Sequence, residues 1–198
     1  MRVLNVGGNS KMIPIPAHYS GWEHLLLDID PHGNPDVLCD ARDLTSLAPG
    51  QFDAVYCSHN LEHYYRHDGH RVLRGFLHVL RDDGFAEIRV PDLDSLMQHV
   101  VKSGMDIEDV LYVSSAGPIT PRDVLYGYGA EIERSGQDFF AHKTGFTEKS
   151  LYRVLEQAGF EEAVLVKEVP TFELHVIAFK STPRPDQYAL LGIPPEAR

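Results

Sequence analysis

Apolar residues fall in short runs separated by glycine, proline and polar stretches, and the runs switch between two periods along the chain. Residues 2–6, 24–28, 36–39, 53–57 and 85–90 are compact apolar segments of strand length. Helical spacing appears over 69–80, where Val72, Leu73, Phe76, Leu77, Val79 and Leu80 make one stripe, and over 92–103. Asp92 is placed to cap the second of these, and Gly104 stands beyond its end. Thr147 is the expected N-cap of a third helix over 148–158, stopped at Gly159. Two further strands, 162–168 and 172–180, lie close enough to pair as an antiparallel hairpin. Strands alternating with helices predict an α/β domain built on a mostly parallel, twisted sheet.

Three stretches break that rhythm. Residues 9–23 carry Pro14, Pro16 and Gly21, so the helix that usually joins the first two strands of such a unit should be short or missing. Residues 104–146 are rich in glycine, proline and aromatics, with a short helical stretch near 121–126. So long an insertion with clustered aromatics is expected to be ordered and functional, as a substrate lid or as the contact of a homodimer. The last stretch, 181–198, holds four prolines and should lie loosely on the surface. Residues 1–180 are read as a single domain with this tail.

Composition narrows the partners. The 198 residues include 18 basic and 29 acidic side chains, net −11, a balance that repels polyphosphate backbones and argues against nucleic acid. The apolar runs are too short to span a bilayer, and the N-terminus enters a strand directly, so no membrane partner and a cytoplasmic location are expected. Cys39 and Cys57 lack any CxxC spacing and read as free thiols in a reducing compartment.

Chemistry concentrates at the ends of the predicted parallel strands. The first strand runs into Gly7-Gly8-Asn9-Ser10, the second closes on Asp28-Ile29-Asp30, and the third on Cys39-Asp40-Ala41. A glycine turn lets the backbone approach a ligand, and an acid closing the next strand accepts hydrogen bonds from ribose hydroxyls. Asp28 directly follows the apolar run and is the choice for that role; Asp30, before a proline, is expected to cap the following turn. The fourth strand ends in Ser58-His59-Asn60-Leu61-Glu62-His63, and Leu80-Arg81-Asp82-Asp83-Gly84 precedes the fifth.

In this order the segments resemble the class I S-adenosylmethionine-dependent methyltransferases, above all the small type 11-like group. The resemblance is close over about residues 2–92 and looser over 147–180. It implies the Rossmann-like methyltransferase fold, with S-adenosylmethionine as cofactor and a small molecule or sugar as methyl acceptor. Carried across, Asn5, Gly7, Gly8 and Asn9 correspond to the loop facing the methionine part of the cofactor. Asp28, with Ile29, corresponds to the ribose acid, and Asp40, with Ala41, to the motif reading the adenine amino group. Ser58, His59 and Asn60 fall beneath the sulfonium and the acceptor. The family loop normally has an acid at Asn5 and glycines at Asn9 and Lys11; Asn9 can supply the left-handed turn instead.

A base, where the acceptor needs one, is expected at His63 or His142, since imidazole titrates near neutral pH. Tyr126, Tyr128 and Lys143 in the aromatic segment are the expected acceptor contacts. His59, His63, His67 and His70 are spaced by four, four and three residues, but a strand end and Asp68-Gly69 interrupt them, so no metal site is expected from that series. Two other readings stay open at this stage. One is a methyltransferase-like binding module that has lost turnover. The other is a nicotinamide-dependent reductase or epimerase, against which stand the incomplete Gly-x-Gly-x-x-Gly and the lack of a Tyr-x-x-x-Lys pair.

Overall fold

Leu4 and Val6 face one side of the first strand and Val3 the other, and all three are buried, so this strand must be covered on both faces. The computed structural model describes residues 1–114, 116–166 and 172–194. In it β1 (Arg2–Val6) lies between β2 (Glu23–Asp28) and β4 (Phe52–Ser58), parallel to both. β3 (Val37–Leu38) forms one edge, and β5 (Leu80–Pro91), β9 (Glu173–Phe179) and β8 (Glu162–Leu165) extend the other. The order is β3-β2-β1-β4-β5-β9-β8, and β9 runs antiparallel to both of its neighbours. The mostly parallel sheet and its final hairpin are those expected. The predicted strand over 162–168 ends earlier, at Leu165, and residues 167 and 168 lie outside the described residues.

Helix α1 (Arg66–Val79) packs its Val72, Leu73, Phe76 and Val79 stripe onto one face of the sheet, beside α5 (Glu148–Ala158). It starts three residues before the expected Gly69. The Gly69 amide is already bonded to the Tyr65 carbonyl at 2.8 Å, so Asp68-Gly69 lies inside the first turns and is not a break. α2 (Leu93–Ser103) is capped by Asp92 and closed by a left-handed Gly104. The aromatic segment holds a ribbon, β6 (Tyr112–Ser114) with β7 (Gly117–Ile119), then α3 (Pro121–Tyr126) and α4 (Gly129–Ser135). No helix among the described residues is long and apolar enough to cross a membrane.

The opposite sheet face shows what the prolines of the first crossover do. Between β1 and β2 there is only a 3-10 turn, Ala17–Tyr19. Without a helix there, Val3, Ala54, Phe85 and Phe179 are covered by Tyr19, Ile15 and Trp22 from the loop and by Tyr188 and Ile193 from the C-terminal stretch. The expected loose tail is therefore corrected. Pro185–Leu190 form α6, Gln187 Nε2 donates to the Asp83 carbonyl at 2.8 Å, and the Tyr188 hydroxyl donates to Glu162. The uncovered apolar face draws the tail down. Tyr188→Ala is expected to lower the free energy of urea unfolding by about 3 kcal/mol, as for other large aromatic deletions from a core. A loss under about 0.5 kcal/mol, the range of ordinary surface changes, would mean that the helix does not contribute to the core.

A charged network crosses this face. Glu87 of β5 is fully buried. It accepts from the Tyr19 hydroxyl at 2.8 Å and pairs with His18 Nε2 and His175 Nε2, each at 2.9 Å, while Arg89 Nε stands at 3.6 Å. Burial alone would raise its pKa; His175, His18 and Tyr19 outweigh that and hold it at about 2.

Candidate active site

The carboxyl ends of β1, β2 and β4 open into a cleft of about 260 Å³, the place where open α/β sheets bind ligands. Gly7, with φ +71°, turns the chain out of β1; a Cβ there would lie 2.1 Å from Asn60 Nδ2. Asn9 takes φ +59° and supplies the left-handed residue that the altered glycine loop needs. Its amide donates to Asp28 Oδ2 at 2.9 Å, and the Asp30 amide donates to Asp28 Oδ1 at 2.9 Å. Asp28 thus locks the loop from below while lining the cleft. Asp30 caps the Pro31–Gly33 turn, accepting from the His32 amide.

Asp40, at the mouth of the next turn, accepts from the Arg42 amide and is gripped by the Arg42 guanidinium, with Nη2 at 2.6 Å. Burial raises its pKa, but the bonds from Arg42 prevail and hold it below the usual carboxylate range. Ile29, His59 and Asn60 also line the cleft, and Asn60 Oδ1 is buried with no hydrogen-bond partner in the structure. Ala41 is buried behind Asp40 and does not reach the wall. Asn5, Gly8 and Ser58 line a smaller hollow on the far side of the glycine turn with Tyr56, Ile13 and Pro14, and Gly7 and Asn9 border both spaces.

On the opposite wall stand Tyr64, Tyr65, Phe139, Phe140 and Lys143. The aromatic segment is held there by its backbone: the Lys143 and Thr144 amides both donate to the Glu62 carbonyl, at 2.8 and 3.1 Å. Lys143 lines the cleft, whereas Tyr126 and Tyr128 do not. The Tyr126 side chain is exposed, and the Tyr128 hydroxyl donates to the Ala116 carbonyl at 2.9 Å, which ties it to the β6–β7 ribbon. Phe139 and Phe140 occupy the wall in their place. Gly127 makes this possible, because with φ +95° it lies so close to the Phe140 carbonyl that a Cβ would be 2.4 Å away.

The two histidines expected to act as bases come together, with ring centroids 4.8 Å apart. His63 lines the cleft and His142 lies behind it, beside the buried Glu62. Burial lowers the pKa of His142, against the pull of Glu62. For His59 burial works against protonation, but the carboxylates of Glu173 and Glu62 prevail and raise its pKa to about 10. The other histidines of the series diverge: His67 is exposed beside Asp68, and His70 Nε2 bonds to the Gln157 carbonyl on α5. Sequence reasoning missed Glu62, Arg42, Asp68 and Tyr64–Tyr65 as site residues. Only the fold brings Glu62 to His142, eighty positions later, so no local signal marked it.

The cleft suits an adenosyl sulfonium. Four aspartates (Asp28, Asp30, Asp40 and Asp68) face Arg42, Lys143 and His59, and the unpartnered Asn60 oxygen is a free acceptor at its wall. A dinucleotide would want a helix N-terminus at the glycine turn for its pyrophosphate, and the first crossover has only the 3-10 turn.

The comparisons with known proteins agree with this geometry. The family model for a methyltransferase domain matches residues 1–164. The chain belongs to that family, and it is a class I S-adenosylmethionine-dependent methyltransferase. Among solved structures it resembles a SAM-dependent methyltransferase from Archaeoglobus fulgidus, at 16% identity and a TM-score of 0.55 over 90% of this chain and 86% of that one. It also resembles the PH0226 protein of Pyrococcus horikoshii, at 13% identity and a TM-score of 0.58 over 90% and 82%. A third similar structure is the 1,6-didemethyltoxoflavin-N1-methyltransferase of Burkholderia thailandensis with bound 1,6-didemethyltoxoflavin and S-adenosylhomocysteine, at 19% identity and a TM-score of 0.54 over 91% and 71%. At these identities the likeness is one of fold. No curated protein matches the chain.

Proposed function

We propose that the protein transfers the methyl group of S-adenosylmethionine, by in-line displacement, to an oxygen or nitrogen of a small molecule or sugar held under Phe139, Phe140 and Lys143. The observation that carries this reading is the joining of an acidic, adenosine-sized cleft to an aromatic wall contributed by residues 104–146. The cofactor supplies an electrophilic methyl carbon on a sulfonium; the residues of the chain do the rest. Asp28 holds the ribose, Asp40 the adenine edge, and the Asn5–Asn9 loop with Ser58 and Asn60 the methionine end. The aromatic segment shuts water out and aligns the acceptor, and alignment of this kind can supply ~7–11 kcal/mol. The Glu62–His63–His142 cluster takes up the acceptor's proton, a contribution of roughly 10²–10⁴-fold. The net charge of −11 favours a small acceptor over nucleic acid. The 1,6-didemethyltoxoflavin bound by the Burkholderia methyltransferase points the same way.

Thermal unfolding with S-adenosylhomocysteine, S-adenosylmethionine and NADP tests the reading. A ligand at 100 times its Kd adds about 2.7 kcal/mol, a rise of about 5–10 °C for a domain of this size. The rise is expected with both adenosyl ligands and absent with NADP; a shift with NADP alone would overturn the assignment.

A further inference from the structure

The histidines near the acceptor wall are arranged as more than a base. His63 Nδ1 lies 3.2 Å from the Ala141 carbonyl and His142 Nδ1 lies 2.9 Å from the Val124 carbonyl. A carbonyl only accepts, so both rings carry their proton on Nδ1 and leave an Nε2 lone pair free. That is how metal-binding histidines are held: the outer N–H on a backbone carbonyl fixes the tautomer and aims the other nitrogen. Between them sits Glu62, 1% exposed, with neither carboxylate oxygen in a hydrogen bond. Its nearest nitrogen neighbours, His59 Nδ1 at 3.5 Å and His142 Nε2 at 3.9 Å from Oε1, stand at ion-pair distance but outside hydrogen-bonding geometry. A buried carboxylate with open lone pairs is costly unless something fills them.

We infer that Glu62, His63 and His142 bind one divalent transition-metal ion, with Zn²⁺ as its reference case, on the acceptor side of the cleft. One ligand atom from each residue lies within 4.8 Å of the other two. Ligands on a tetrahedral Zn²⁺ at about 2.0–2.2 Å are roughly 3.3–3.5 Å apart, so small side-chain rotations of about an ångström close the site. Two imidazoles and one carboxylate suit Zn²⁺, Co²⁺ or Fe²⁺, while Mg²⁺ and Ca²⁺ prefer all-oxygen ligands. Three protein ligands leave further positions open, as in catalytic sites. His63 belongs both to this set and to the cleft wall, so the open side faces the acceptor space. On the methyltransferase reading, the acceptor is one whose hydroxyl or amine coordinates the ion, which lowers its pKa as it does that of bound water; with the three side chains engaged as ligands, the ion takes the place of their role as base and the proton leaves to solvent water.

The test uses chelator-stripped full-length protein titrated with Co²⁺ and Zn²⁺, with Mg²⁺ as control. One equivalent of Co²⁺ is expected to give visible d–d absorption that Zn²⁺ abolishes. Zn²⁺ at 100 times its Kd should raise Tm by about 5–10 °C, and Mg²⁺ should leave it unchanged. Glu62→Gln, close in shape and neutral, should weaken Zn²⁺ by at least the roughly 10–100-fold that loss of an outer partner alone causes. X-ray absorption on the Co²⁺-loaded wild type assigns the ligands without any variant; two imidazoles and oxygen ligands are expected. Fewer than two imidazoles, a thiolate ligand, or tighter Mg²⁺ than Zn²⁺ binding would overturn the site. S-adenosylhomocysteine binding on the same samples separates the two claims. If it binds and Zn²⁺ does not, the metal inference alone falls; if Zn²⁺ binds and it does not, the methyltransferase reading falls and the metal site stands.

Discussion

Asp28→Asn is expected to weaken S-adenosylhomocysteine about 100-fold or more in a calorimetric titration, while His142→Ala leaves the same Kd within about threefold. The carboxylate does two things at once. It accepts the Asn9 and Asp30 amides, one on each oxygen, and it lines the cleft at the strand end where the ribose is expected. Asparagine has a single acceptor oxygen, so one of those backbone amides would face another N–H, and an unpaired buried donor costs about 1–3 kcal/mol. The ribose hydroxyls would also lose a charged acceptor worth about 1.5–3 kcal/mol per bond, and each 1.4 kcal/mol is about tenfold in Kd. His142 lies behind His63 and does not line the cleft, so its loss should fall on the acceptor chemistry. Equal loss of cofactor affinity in both variants would refute this division of labour.

Asp28 was legible in the sequence because its position depends on local periodicity: an apolar strand ends and the next residue is the first that can turn toward a ligand. The strand positions, the shortened first crossover and the glycine turn follow from the same short-range signals, whereas the strand order does not. Asn9 illustrates how far they reach, since its left-handed φ of +59° follows from residue chemistry and turn position together. What stayed hidden depends on contacts between distant segments. Tyr126 and Tyr128 looked like acceptor contacts from composition alone, but which aromatic of a segment faces the cleft is set by the Lys143 and Thr144 bonds to Glu62. Those bonds bring Phe139 and Phe140 to the wall and turn Tyr128 toward the ribbon. The tail was misread for a related reason. Four prolines indicate little regular structure, but they do not register that the missing crossover helix leaves an apolar sheet face, which Tyr188 and Ile193 then cover.

Glu87 is the other residue that periodicity could not explain, and it carries a large and pH-dependent expected effect on stability. A carboxylate in a strand interior reads as a solvent-facing position, yet here the strand is buried on both faces and the charge is enclosed. It persists because three partners converge on it: His18 and Tyr19 from the helix-free crossover by hydrogen bonds, and His175 from β9 as an ion pair, with Arg89 close by. The network fastens the loop that follows the glycine turn to the centre of the sheet, so its loss should loosen the cofactor loop as well as the core. A folded-state pKa of about 2 against an ordinary 4.5 corresponds to stability on the order of 3 kcal/mol. The sign follows from the direction: a depressed carboxylate pKa stabilises the folded state above about pH 4.5, and the contribution fades as pH falls toward 2. Glu87→Gln, which mimics the protonated acid, should therefore be less stable than the parent by about that amount in urea unfolding at pH 6–7. The two curves should converge between pH 4.5 and 2.5, where the parent loses its advantage. A gap that stays constant over that range would mean that the carboxylate acts through packing alone, because a shape effect has no reason to titrate.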